Sequence, residues 1–245
     1  MRPPRSGRRA PPIPFRALAL LLVAAAALGA VWFAGRQTGS APGSPDRARV
    51  AALLAAVEVV PERVRHPGYE RDCSGASACV FGPAWSDSTG APGSGNGCTT
   101  RQDVLARDLH GAAADPGEPC AVKGGVFVDP YTGAVIDVGR IGARAVHVDH
   151  VYPLAAAWDL GAWRWSPRRR AAFANDVDRN LVAVAGSVNT RKGDATPAVW
   201  MPPDPTRHCF YAARYLTAAV AYGLPVTDDD EDALAAAVRR CPRGP

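Results

Sequence analysis

The eighteen-residue apolar run from Ala17 to Ala34 divides this chain before any fold is considered. Five arginines and no acidic residue precede it, the arrangement of a charged leader and an apolar targeting segment. Eighteen residues just reach across a bilayer core at helical rise, so a cleaved signal and an uncleaved N-terminal anchor both fit residues 1–35. The basic flank keeps the N-terminus cytoplasmic, and the rest of the chain is exported either way. Those five arginines equal the whole formal charge of +5. The folded part is therefore neutral, which excludes a global positive field as its means of holding a polyanion. Residues 36–48, rich in Gly, Pro and Ser, read as a linker, and 49–245 as one domain. Membrane association is expected only through the N-terminal segment.

Export makes disulfides the expected use of the six cysteines, all of which follow the apolar run. Fifteen pairings are possible. Cys73–Cys79 is the local choice, Cys98–Cys120 would link the flanks of the first long helix, and Cys209–Cys241 would fasten the C-terminal one. No Cys-x-x-Cys pair is present to nucleate a zinc site.

Apolar spacing predicts a helix over 49–60 ended by Pro61, and another over 99–113 burying Val104, Leu105 and Leu109. The glycine-rich stretch 86–97 reads as a flexible loop. Two short strands flank the turn Asp129-Pro-Tyr-Thr-Gly133. Further strands are expected at 145–150 and 180–186, separated by helical segments over 154–163 and 168–175. A helix begins at Ser187, and the last two span 211–222 and the stretch after Thr227, where Asp230 completes a capping box. Four tryptophans, Trp158, Trp163, Trp165 and Trp200, are expected as core. The fold class is α+β.

The chemistry concentrates between residues 147 and 194. His147-Val-Asp149-His150 interrupts an apolar strand that must end by Pro153. Asn175-Asp-Val-Asp-Arg-Asn180 leads into the next strand, and Asn189-Thr-Arg-Lys192-Gly-Asp194 lies on the helix beyond it. This set suits phosphodiester hydrolysis. A hard divalent cation takes oxygen ligands, which Asp149 and the Asn189 amide supply with room left for water and phosphate. A neutral histidine can take the proton from water near neutral pH. Its other ring nitrogen must be held by an asparagine or a backbone carbonyl, and Asn180 is placed for that. One difficulty is geometric: adjacent strand residues face opposite ways, so Asp149 and His150 share a site only where the strand twists out of its plane.

The motifs VHVDHVYPL, NDVDRNLVAV and NTRKGD, with DPYTG, PLAAAWDLGA and KGDATPAVWMPP around them, resemble the HNH endonucleases. More closely, the chain is similar to exported actinobacterial members related to the C-terminal nuclease domain of GmrSD-type restriction enzymes, over roughly residues 67–241. The resemblance implies a ββα-metal (His-Me finger) core with a helical insertion and surrounding helices. It implies His150 as general base, Asp149 and Asn189 as metal ligands, and Asn180 as the residue orienting the motif. Lys192 would meet the substrate phosphate, and His147 would be an extra ligand or a supporting group. Arg168, in the basic run of the insertion, divides between a DNA contact and a solvated helix face. One divalent ion is implied, Mg²⁺ ahead of Mn²⁺, with DNA ahead of RNA as substrate and no obligate protein partner. Arg101 and Tyr131 lie near the presumed site in such proteins.

Two other readings compete. A binding module on the same fold would need no general base. An envelope metallohydrolase using His147 and His150 would need a third strong ligand, for which His208 is the only candidate.

Overall fold

Antiparallel strands β6 (Val146–His150) and β7 (Leu181–Ala185) form the central pair of the computed structural model, which describes residues 44–72, 79–115 and 117–244. Their register sets His150 opposite Leu181 and Val146 opposite Ala185. Because strand side chains alternate, each face of the pair buries its own cluster. On one face Val146, Val148, Leu181 and Ala183 pack with Val104 and Leu105 of helix α2 (Thr100–Asp108) and with Phe127. On the other, Val182 and Val184 meet Tyr211, Tyr215 and Leu216 of helix α7 (His208–Tyr222). Each fully buried Leu or Val here is worth about 1.5–3 kcal/mol in transfer free energy.

The remaining elements close around this pair. Helix α1 (Arg47–Ala56) starts at an Asp46 N-cap and leads into β1 (Val59–Val60), which pairs in parallel with β8 (Val226–Thr227). Two hairpins follow α2, one of β2 (Ala113–Asp115) with β3 (Glu118–Lys123), the other of β4 (Val126–Val128) with β5 (Val135–Asp137). A single helical turn, α3 (Val138–Ile141), leads to β6. Helices α4 (Leu154–Asp159) and α5 (Pro167–Ala174) form the expected helical insertion before β7. Helix α6 (Gly186–Lys192) follows β7 directly, and α8 (Asp228–Val238) closes the chain. The result is a mixed helix-and-strand fold.

Several sequence expectations are met by the local chemistry. Thr227 makes the expected full capping box with Asp230, and Thr99 makes another, unexpected, with Gln102. Cys98–Cys120 and Cys209–Cys241 are bonded as expected, with Cα atoms 5.4 and 5.0 Å apart. The second closes a 32-residue separation and ties α7 to the end of α8, worth roughly 3–4 kcal/mol by loop entropy. Cys79 is also disulfide-bonded, but Cys73, its expected partner, lies outside the described residues. So does the apolar segment 17–34. Among the described residues no helix is long and apolar enough to cross a membrane.

Three expectations change. Residues 59–60 leave the first helix because β8 offers them a backbone partner. The segment at 113 belongs to a hairpin, not to the end of α2. The stretch 86–97 is organised by Asp87, whose carboxylate accepts from the N–H groups of Gly95, Asn96 and Gly97; these bonds hold the Asp87 acid below its usual range.

The free edge of β7 is closed by side chains. Ala183 N–H donates to Asp108 at 2.8 Å and Ala185 N–H to Asp129 at 3.2 Å. Arg107 and Arg214 both donate to the Leu181 carbonyl, at 3.0 and 2.8 Å. An otherwise open strand edge thereby has its polar groups paired.

Candidate active site

A cleft of about 290 Å³ opens where β6 ends, lined by Arg71, Asp149, His150, Leu154, Asn189 and Asp194 among others. Asp149 and His150 thus border one cavity although they leave the strand on opposite faces. The bend that allows this is held by Asn180, fully buried at the start of β7. Its amide oxygen accepts from Tyr152 N–H at 2.8 Å, its amide nitrogen donates to the Tyr152 carbonyl at 3.3 Å, and its own carbonyl accepts from Val151 N–H. Both side-chain bonds agree on which amide atom is oxygen. Asn180 therefore fixes the backbone just beyond His150 rather than the imidazole expected of it.

The imidazole is held by a backbone carbonyl instead. His150 Nε2 lies 2.8 Å from the Ala174 carbonyl at the end of α5. That oxygen can only accept, so Nε2 carries the proton and Nδ1 keeps its lone pair. Burial pushes the His150 pKa down to about 3, assisted by the charge of Arg71 and opposed by the Ala174 bond. The ring is therefore neutral at physiological pH. Trp85 stacks on it, with ring centroids 5.6 Å apart and planes 13° apart.

Asp149 is 4% exposed and doubly bonded. Lys192 Nζ donates to Oδ1 at 2.9 Å, and the Tyr131 hydroxyl donates to Oδ2 at 2.6 Å. Burial raises the Asp149 pKa, while Lys192 and the two hydrogen bonds pull it back. The ammonium of Lys192 also donates to the His150 carbonyl at 2.9 Å and is shut off from solvent. Expected at the substrate phosphate, Lys192 sits beneath the cleft as the counter-ion of Asp149. Tyr131 is delivered by the β4–β5 turn, where its N–H donates to Asp129. The burial of Tyr131 and the neighbouring Asp149 raise its phenol well above the usual range.

Asn189, half-buried on α6, lines the cleft with Asp149. His147 does not border it. The His147 ring packs over Gly186 so closely that a Cβ there would lie 2.7 Å from Nε2. Arg168 is exposed, beside Gly90, and does not line the cleft. Its neighbours Arg169 and Arg170 lie over Trp165 and Trp158 and donate to backbone carbonyls. Arg101 donates to the Val146 carbonyl at the far end of β6. His208 is bonded to the Pro202 carbonyl, does not line the cleft, and joins no group of metal ligands among the described residues.

Arg71, Trp85 and the Ala174 carbonyl were not legible as site groups. Arg71 belongs to no periodic pattern, and a carbonyl has no residue signature at all. As to metals, no group of three or more His, Cys, Asp or Glu that could hold an ion occurs among the described residues. The cleft offers the Asp149 carboxylate, each of whose oxygens keeps a lone pair after one hydrogen bond, and the Asn189 amide. By donor chemistry alone, such oxygens are the kind a hard, largely hydrated divalent cation takes, and among the described residues no sulfur or histidine ligand of a zinc site joins them.

A model of the GmrSD restriction endonucleases' C-terminal domain matches residues 99–237. A protein of the fungus Arthroderma benhamiae, described as an uncharacterized secreted protein, is 33% identical over 201 residues, covering 82% of this chain and 88% of its own. No solved structure matches. The matched span holds Asp149, His150, Asn180 and Asn189, and the chain belongs to the family of GmrSD restriction endonuclease C-terminal domains.

Proposed function

We propose that the protein is an exported, metal-dependent endonuclease of the HNH class, with β6, β7 and α6 as its ββα-metal core. The observation that carries this is the His150–Ala174 bond, which leaves a neutral imidazole with an unprotonated Nδ1 beside a buried carboxylate in an open cleft. A binding module has no use for such a base.

In this reading Nδ1 of His150 takes the proton from the attacking water. The Nε2–H bond to Ala174 persists and stabilises the imidazolium that forms. Asp149 and Asn189 would hold one hard divalent ion, Mg²⁺ ahead of Mn²⁺, supplying charge neutralisation at the phosphate and at the leaving oxygen. Lys192 and Tyr131 orient the carboxylate. Arg71, exposed at the rim, meets the phosphate in the role first given to Lys192. With a neutral domain, binding is led by local phosphate contacts and sequence preference is weak.

The family's restriction-enzyme description favours DNA over RNA. The secreted relative, the two disulfides among the described residues and the N-terminal leader favour export. The test is plasmid nicking by the full chain with Mg²⁺, with Mn²⁺ and with EDTA. Cleavage that requires a divalent ion is expected. An intact plasmid under every condition contradicts the reading and favours a binding module.

A further inference from the structure

Trp85 stands out by the effort with which it is held. Its φ is +58°, a left-handed conformation that bulky residues rarely adopt and that persists only where the surroundings dictate it. The surroundings do so here. The Trp85 carbonyl accepts from Thr100 N–H at 3.2 Å, the Ser86 carbonyl accepts from the Thr100 hydroxyl at 3.1 Å, and Asp87 gathers three loop N–H groups. Cys98, just before the α2 cap, is bonded to Cys120. This set of fastenings presents a half-buried indole flat against the imidazole of His150, 13° from parallel.

We propose that Trp85 is a positioning residue for His150. Its indole face blocks rotation of the imidazole out of the plane in which Nε2 meets the Ala174 carbonyl, and so keeps Nδ1 available to the cleft. An imidazole turns about two side-chain bonds, and a single hydrogen bond at its edge leaves it free to swing about that bond. A flat wall on one face removes this freedom. Offset stacking at this separation is attractive in its own right, and pre-setting the ring removes a reorientation from the reaction. Apolar packing alone would not require an aromatic, since Trp85 also touches the cluster around Val146 and Val148, where an aliphatic residue would serve.

The inference rests on the nuclease reading, and two measurements keep the two separable. The first compares plasmid cleavage by the full-length wild type, W85L and W85F. W85L, which keeps apolar bulk, lowers kcat by roughly tenfold to a hundredfold with KM unchanged, and W85F recovers most of the rate. The second is the NMR shift of the His150 ring protons, identified by their absence in H150Q, in metal-free protein. The indole current moves them upfield in wild type, and W85L returns them downfield. Wild-type kcat in W85L, or identical His150 shifts in wild type and W85L, overturns the proposal. If wild type cleaves nothing, the nuclease reading falls, and the ring-proton shift alone decides whether Trp85 holds His150.

Discussion

Lys192 Nζ lies 2.9 Å from Asp149 Oδ1, and both side chains are removed from solvent. The pair joins the end of α6 to the end of β6, directly under the cleft. An ion pair of this kind adds little over an apolar replacement of both partners, but losing one partner strands the other charge. Lys192→Met is therefore expected to destabilise the protein by about 3–5 kcal/mol, read by urea unfolding. A Lys192→Met protein as stable as wild type would place the lysine outside the ion pair.

His150 gives the molecule a pH signature. Its folded pKa, about 3, is depressed below the ordinary 6.5. The unfolded chain therefore takes up a proton at a pH where the folded one does not. The stability associated with a neutral His150 is complete above about pH 6.5 and is lost as pH falls from there toward 3. His150→Gln cannot titrate, so the difference in unfolding free energy between wild type and this variant should be flat above neutrality and move against wild type below it. A pH-independent difference would mean that His150 titrates normally in the folded state.

Asn180→Ala removes both side-chain bonds to Tyr152 and leaves that N–H buried without a partner. The expected cost is about 2–3 kcal/mol. Because the bond holds the bend after β6, cleavage should fall as well, even at temperatures where the variant is folded.

Gly186 and His147 form a steric pair. Gly186→Ala places a methyl 2.7 Å from His147 Nε2 and 3.1 Å from the Ala145 carbonyl, and should cost about 1–3 kcal/mol through overpacking. His147→Ala in the same chain should restore part of that loss, a coupling that a double-mutant cycle reads directly. Simple additivity would show that the ring can swing away. Full activity of His147→Ala alone is expected, since the ring lies outside the cleft.

What the sequence made legible, and what it hid, follows from range. The strands β6 and β7, the capping box at Thr227 and the insertion helices are local patterns, and they appear where expected. Strand β1 depends on Val226 and Thr227, far along the chain, so Val59 and Val60 carried no local sign of pairing. The stretch around Gly93 and Gly95 looked mobile because the organising group, Asp87, is a single ordinary acid. At the site, Asp149, His150 and Asn189 were expected from residue type, spacing and the family resemblance, and all three line one cleft. The division of labour around them was not, because it is set by packing. Lys192 turns inward to a carboxylate, a carbonyl of α5 replaces Asn180 as the holder of the imidazole, and Trp85 arrives from a loop more than sixty residues upstream of His150.

The role of His150 as the base of a phosphodiester hydrolysis is read most directly by a single comparison. Plasmid cleavage by wild type and by His150→Ala is measured at saturating Mg²⁺ and neutral pH, with both proteins verified as folded. Loss of a general base lowers the rate by about 10²–10⁴-fold, and a drop in kcat of that order is the expected result. Equal cleavage by the two proteins would contradict the account.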